Sequence, residues 1–167
     1  MSENKDIPVL IGKVNHTLFL LNEIVSFYYQ VQSNELKLLG KSQSSALIIA
    51  QIFENFYTCL ETLFLRISQY FENSIQKDKR HSDLLNNMKL KIEGVRIPVL
   101  SGKSHKSLLE LMRFRHFKRY YFELDYDWNK LDYLSNIFEN SYDQLKEDLI
   151  NFRDFLQMLH ERSTADN

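Results

Sequence analysis

Cysteine is almost missing from this chain, with Cys59 standing alone among 167 residues. One thiol excludes an internal disulfide and a cysteine-rich zinc site, and it suits a reducing compartment. Its neighbours Phe56, Leu60 and Leu63 make it a packed core thiol rather than a nucleophile. Four glycines and two prolines leave few places to turn, which favours long helices over many short strands. No stretch approaches the roughly 18 to 20 apolar residues that a membrane span needs; the segment 47–50 is interrupted at once by Gln51 and Glu54. The opening MSENKDIPVLIGKV lacks the apolar run and cleavage site of a signal peptide, so a cytoplasmic location is expected. There is no glycine-rich phosphate loop and no His-Glu-x-x-His motif. The five histidines, at 16, 81, 105, 116 and 160, are too scattered for spacing to argue a metal site. Glu54 and Glu61 lie seven apart without the Glu-x-x-His partners of a di-metal bundle, and no metal or cofactor is expected. A net charge of −1 gives no global attraction to nucleic acid or acidic lipid.

What is present is helical periodicity. An apolar content of 44% in 167 residues can bury one good core, and the whole chain, 1–167, reads as a single domain. Ile11, Val14, Leu18, Leu21, Val25 and Tyr28 recur at three- and four-residue steps, predicting a helix over about Ile7–Gln32 with Pro8 in its first turn. Residues 33–44, with Gly40 and three serines, read as a connection with a helical turn at Glu35–Leu39. A second long helix is expected over about Ser45–Asn73, followed by a polar loop over Asn73–Lys79. A shorter helix then begins at Ser82 and stops at Gly94, with His81 at its start or at an interface. Ile97 precedes Pro98 in an extended connector, and Ser104 offers an N-cap to a central helix. A last helix runs from about Asp127 to Glu161, with a polar, frayed tail from Ser163. His16, His105 and His160 read as surface residues. Together these elements predict an all-α antiparallel bundle of the four-helix type with an extra short helix.

Charge is uneven within this frame. From Lys103 to Arg119 six Lys/Arg face one acid, Glu110, while Glu123 to Asp132 holds four acids against Lys130. At 100° per residue, Leu108, Leu111 and Met112 share a stripe in whose middle Arg115 and Arg119 fall. Phe114, Phe117 and Tyr121 cover most of the opposite side, so the central helix is expected to be buried nearly all round. Two arginines one turn apart on a buried stripe are costly unless an anion or a carboxylate meets them. His116 lies beside them and Tyr120 follows.

The segment LLELMRFRHFKRYY followed by LDYDWNKL resembles the HEPN superfamily, and more narrowly the HepT-like ribonuclease toxins. There the helix typically reads Phe-Arg-His-x-x-Arg-His-x-Tyr and is followed by Glu-Leu-Asp-Trp-x-x-Leu. FYTCLETLFLRIS, RHSDLLNNM and GVRIPVLS look like the same group, and the likeness covers roughly Phe53 to Leu159. The resemblance implies a HEPN-like bundle that forms a homodimer, with the motifs of both subunits lining one cleft. It also implies metal-independent cleavage of RNA and a cognate MNT-type nucleotidyltransferase antitoxin. Phe114, Arg115, His116 and Arg119 match by position. Tyr120 stands where the family has its second histidine, and Phe122 where it has the tyrosine that the antitoxin adenylylates.

Cleavage of RNA through its own 2′-hydroxyl needs a proton acceptor, a donor for the leaving oxygen and positive charge on the phosphate. Arginine supplies the charge, often by bidentate contact. Histidine suits the proton transfers, whereas a tyrosine near its reference pKa of about 10 is a poor base at neutrality. The expected site is therefore Arg115 and Arg119 on the phosphate, with His116 or Tyr120 moving protons. Arg113 and Lys118 extend the basic surface for RNA. Two readings stand beside this one: a catalytically degenerate HEPN module that binds RNA or nucleotide, and a structural helical dimer that binds a partner. In the last, Arg115 and Arg119 are salt-bridged to Glu123, Asp125 or a partner helix.

Overall fold

The computed structural model describes residues 3–72 and 81–165, and within them the chain is helical, without β-strands. Four long helices form the bundle: α1 (Glu3–Ser33), α3 (Gln43–Glu72), α5 (Gly102–Tyr120) and α6 (Trp128–Ala165). Two short ones, α2 (Glu35–Leu39) and α4 (His81–Met88), lie in the connections. α1 packs on α3 and α6, α5 packs on the same two helices from the other side, and α3 meets α6 across the middle. The helices are thus arranged around a square, with α1 and α5 at opposite corners.

The core follows from the periodicity. Val14, Leu21 and Tyr28 of α1, Phe53, Phe56 and Leu60 of α3, and Leu134, Phe138 and Leu149 of α6 are all fully buried. Aromatic rings fill the centre: Phe138 lies 4.7 Å from Tyr28, 5.4 Å from Phe53 and 4.8 Å from Phe56 between ring centroids. Phe114 reaches the cluster from α5, edge-to-face on Phe53 at 6.1 Å. Such tilted and edge-on pairs suit the ring quadrupoles. The Tyr28 hydroxyl donates to Glu139 Oε1 at 2.6 Å, giving the buried phenol a partner.

Several boundaries differ from the sequence expectation. α1 begins at Glu3, so Pro8 lies inside the helix. α4 ends at Met88, well before Gly94. The chain is turned instead by Arg96, whose guanidinium is buried and donates to the carbonyls of Leu90 and Asn87, each at 3.0 Å. It also pairs with Glu72 Oε1 of α3 at 2.7 Å. Gly94, at φ +71°, supplies the left-handed residue this tight turn needs. The expected loop over Asn73–Lys79 lies outside the described residues, as does the His81 side chain. α6 continues to Ala165, so Ser163 is helical rather than frayed. Its start is as expected, with Asp127 Oδ1 accepting from the Asn129 amide at 2.9 Å.

The cap of α5 is Ser101, not Ser104. The Ser101 hydroxyl accepts from the Ser104 amide at 3.2 Å and itself donates to Asp148 Oδ2 of α6 at 2.8 Å. The Ser101 amide reaches the same oxygen at 2.9 Å. A buried carboxylate 47 residues away therefore fixes where the central helix begins.

Candidate functional site

α5 is covered on one side and open on the other. Leu108, Leu111 and Phe114 are buried against α3 and α6, whereas His116, Phe117, Arg119 and Tyr120 are exposed. The expectation of burial on every side is corrected here: α5 sits at a corner of the square, α4 packs only near its start, and no other described helix covers the outer face of its C-terminal half. The helix also stops at Tyr120. Tyr121 is extended, at φ −100° and ψ 103°, because the chain folds back over the helix end through a ring cluster. Phe117 stacks on Tyr121 at 4.7 Å, Tyr121 lies 5.4 Å from Tyr126, and Tyr126 returns to Phe114 at 6.2 Å. The Tyr121 hydroxyl donates to Asp125 Oδ1 at 2.5 Å. That bond raises the Tyr121 phenol to about 12 and lowers the Asp125 carboxyl.

The two arginines have different surroundings. Arg115 Nη1 lies 3.0 Å from Glu61 Oε2 of α3, and the two side chains are 13% and 8% exposed. The guanidinium carbon also lies over the Tyr57 ring, 5.9 Å from its centroid. Burial pushes the Tyr57 phenol up, Glu61 adds to the shift and Arg115 opposes it. One turn along, Lys118 pairs with Glu54 and donates to Gln51 Oε1 at 3.0 Å. Arg113 pairs with Glu110 on its own helix at 2.7 Å. Arg119 is exposed and has no carboxylate partner among the described residues. Beside it, His116 and Tyr120 pack edge-to-face at 5.4 Å, and Tyr120 is 68% exposed.

Of the four cationic residues expected to face RNA, three thus have carboxylates in reach and Arg119 has none. The carboxylates are Glu110 on α5 itself and, on α3, Glu54 and Glu61, whose seven-residue spacing places them on one face of that helix. That spacing was visible in the sequence, but its match to Lys118 and Arg115 depends on the register of α3 against α5. Neither Glu123 nor Asp125 takes part in these pairs. Arg96 was likewise missed as a structural residue; its burial beside a proline-containing connector carries no local signature. His105, expected at the surface, is buried, with Nε2 2.8 Å from Asn86 Oδ1 of α4. Burial holds its imidazole below the ordinary value, and Lys89 adds to the effect.

Beyond the helix end, Phe122 is 87% exposed and Leu124 is also exposed. Tyr120, Phe122 and Leu124 are thus three exposed large side chains at and just beyond the helix end, close in sequence to Arg119. Among the described residues no group of three His, Cys, Asp or Glu is placed to hold a metal ion, and no helix is long and apolar enough to cross a membrane.

The sequence model of a family described as "HepT-like protein" matches residues 48–156. This span takes in most of α3 and α6, all of α4 and α5, and every residue of the site. No curated protein and no solved structure matches the chain.

Proposed function

Since the chain belongs to the HepT-like protein family of the HEPN superfamily, we propose that it is the toxin of a HEPN–nucleotidyltransferase pair and cleaves RNA without a metal ion. The carrying observation is the exposed trio at the end of α5: Arg119, without a carboxylate partner among the described residues, next to His116 and Tyr120 in ring contact.

In this reading Arg119 binds the scissile phosphate, and a guanidinium suits it by charge and fork geometry. The 2′-hydroxyl attacks phosphorus, its proton passes to a base, and the P–O5′ bond breaks as an acid protonates the leaving oxygen. The product is a 2′,3′-cyclic phosphate. Each copy offers one exposed imidazole at this edge, His116, and two are needed if one is to accept and the other to donate. A homodimer that brings two α5 edges together supplies both, and the open face of the helix, where Phe117 and Tyr120 lie among basic residues, is the surface it would use. Arg115 acts here as a strut: its pair with Glu61 ties α5 to α3 and so holds His116 and Arg119 in place.

An MNT-type nucleotidyltransferase antitoxin is the partner this family role implies. Phe122 has no hydroxyl to modify, and the Tyr121 hydroxyl beside it is bonded to Asp125. Residues 120–124 remain an exposed edge at which such a partner can dock and block RNA.

The test is cleavage of single-stranded RNA in chelator. Wild-type activity is expected to be weak, His116→Ala to abolish it and Tyr120→Phe to leave it unchanged. Tyr120→His should raise it by up to about 10²-fold, the help a second proton-transfer group typically gives. Rapid cleavage that neither His116→Ala nor Tyr120→Phe slows would place the chemistry elsewhere. Tyr120 in place of a second histidine also favours one other reading, a HEPN module that holds RNA without cutting it. RNA binding that is lost in Arg119→Ala, with no cleavage by Tyr120→His, would select that reading.

A further inference from the structure

The α1/α3 side of the bundle carries a second feature, apart from His116, Arg119 and Tyr120 of the proposed ribonuclease site. α1 and α3 run antiparallel and leave a groove between them that is divided into cavities of about 620, 430 and 230 Å³. Successive cavities lie end to end. The second and third share Lys13 and Arg66, and the first and second are separated by about one helical turn.

Within each wall one row of lining residues has the same spacing, with others such as Leu10, Ile24, Leu47 and Thr58 beside it. On α1 the groove is lined by Val9, Lys13, His16, Leu20, Glu23 and Phe27, at steps of four, three, four, three and four. On α3 it is lined by Ile48, Ile52, Asn55, Cys59, Thr62 and Arg66, at the same steps. A seam that alternates three and four is what a further helix meets when its side chains enter the holes of its neighbours. Strand addition needs a free sheet edge instead, and two helices offer none. The wall from Val9 to Phe27 is about 27 Å long at 1.5 Å per residue, room for about five turns. Val9 and Phe27 are roughly half exposed, so large apolar side chains line a face that no described segment covers.

The groove is cationic at one end only, where Lys13, His16 and Arg66 stand. At the other, Ile24, Phe27, Leu47, Ile48 and Ile52 line it together with Glu23, Gln51 and Asn55. Arg66 donates to the Gln69 side chain at 3.1 Å, and among the described residues neither Lys13 nor Arg66 has a carboxylate partner. A second copy of this chain would bring the same face, with Glu23 as its one acid against two full cations and His16. Charge complementarity therefore favours a different protein.

We propose that the α1/α3 groove docks an amphipathic helix of a second protein, one with apolar residues at three- and four-residue steps and acidic residues at the end that meets Lys13 and Arg66. The groove meets the α5 surface only at Gln51, which accepts from Lys118, while its cationic end at Lys13 and Arg66 lies toward the other end of α3.

Two synthetic helical peptides with leucines at that spacing test the proposal, one ending in a glutamate pair on the stripe and the other in a lysine pair. By fluorescence anisotropy the glutamate peptide should bind wild-type protein about tenfold or more tightly than the lysine peptide, a ratio that shrinks with salt. Lys13→Glu/Arg66→Glu should reverse the preference, with an unchanged melting temperature and unchanged RNA binding to show that the bundle and the α5 site are intact. The glutamate peptide should also protect Cys59, the single thiol and a groove residue, from a thiol reagent. Equal binding of the two peptides, or binding of neither, overturns the proposal. So does a groove that copies of this chain fill themselves: Cys59 protection that rises with protein concentration alone, and a mass by light scattering that falls in Phe27→Arg.

Discussion

Arg115→Ala is expected to lower the melting temperature sharply, and the size follows from the position of Glu61. The Glu61 carboxylate lies 3.0 Å from the guanidinium, between α3 and α5, and its side chain is 8% exposed. Removing the arginine takes from that buried charge its ion-pair partner on α5, a loss that typically costs about 3–5 kcal/mol. The further interaction that Glu61 keeps favours the lower end. The remaining exposure of Arg115, 13%, lets water in and argues for the lower end, about 3 kcal/mol. For a chain of this size each kcal/mol moves the melting temperature by about 2–4 °C, so the expected drop is about 6–12 °C. Arg119→Ala, at an exposed position without a carboxylate, should stay within about 0.5 kcal/mol of wild type. Replacing both members of the buried pair, as Arg115→Met/Glu61→Gln, removes both buried charges and should recover most of the loss. Thermal melts followed by circular dichroism at neutral pH measure all four proteins. The sign is informative, because a buried arginine without a carboxylate would stabilise the fold when removed. If Arg115→Ala melts at or above the wild-type temperature, or the double variant is worse than the single, the strut reading of this pair is wrong.

The same geometry sets other expectations. Arg119→Ala should weaken RNA binding and reduce the slope of log affinity against log salt by about one, while Arg113→Ala, already paired with Glu110, should change the slope less; a titration series from low to moderate salt decides. Arg96→Ala strips the turn after α4 of its carbonyl ligands and leaves Glu72 without its arginine, so a loss of about 3 kcal/mol is expected in denaturant unfolding, with Arg96→Lys recovering part of it. Ser101→Ala removes the α5 cap and should cost about 1 kcal/mol, with faster amide exchange confined to the first turn of that helix. His105 takes up its proton less readily folded than unfolded, so its contribution is fully present above the unfolded value of about 6.5 and declines as pH falls through and below it. Melting temperatures from pH 7.5 to 5.5 should therefore fall more steeply in wild type than in His105→Gln.

The helical architecture was legible because its causes are local. Few glycines and prolines, and apolar residues at three- and four-residue steps, specify long amphipathic helices whatever their neighbours, and Val14, Leu21, Tyr28, Phe53, Leu60, Phe138 and Leu149 are buried as that pattern requires. Asp127 could be read as a cap for the same reason, since its bond spans two residues. The family was legible too, because several segments agree with one pattern in order. Cap choice at α5 was not: Ser101 and Ser104 both precede the apolar run, and the decision rests with Asp148, 47 residues downstream.

The division of labour at the site belongs to tertiary structure alone. On an ideal helix Arg115 and Arg119 are only about 40° apart, so periodicity puts them on one stripe and gives them one fate. What separates them is the register of α3 against α5, which sets Glu61 opposite Arg115 and Glu54 opposite Lys118 and leaves Arg119 past the last carboxylate, near the helix end. The open face of α5 has the same origin. A helix rich in Leu, Phe and Tyr carries no mark of how many neighbours will cover it; that number is fixed by its corner position in the bundle. Composition determines which residues prefer burial, and only the packing of distant segments decides which of them are buried and which charges are already paired.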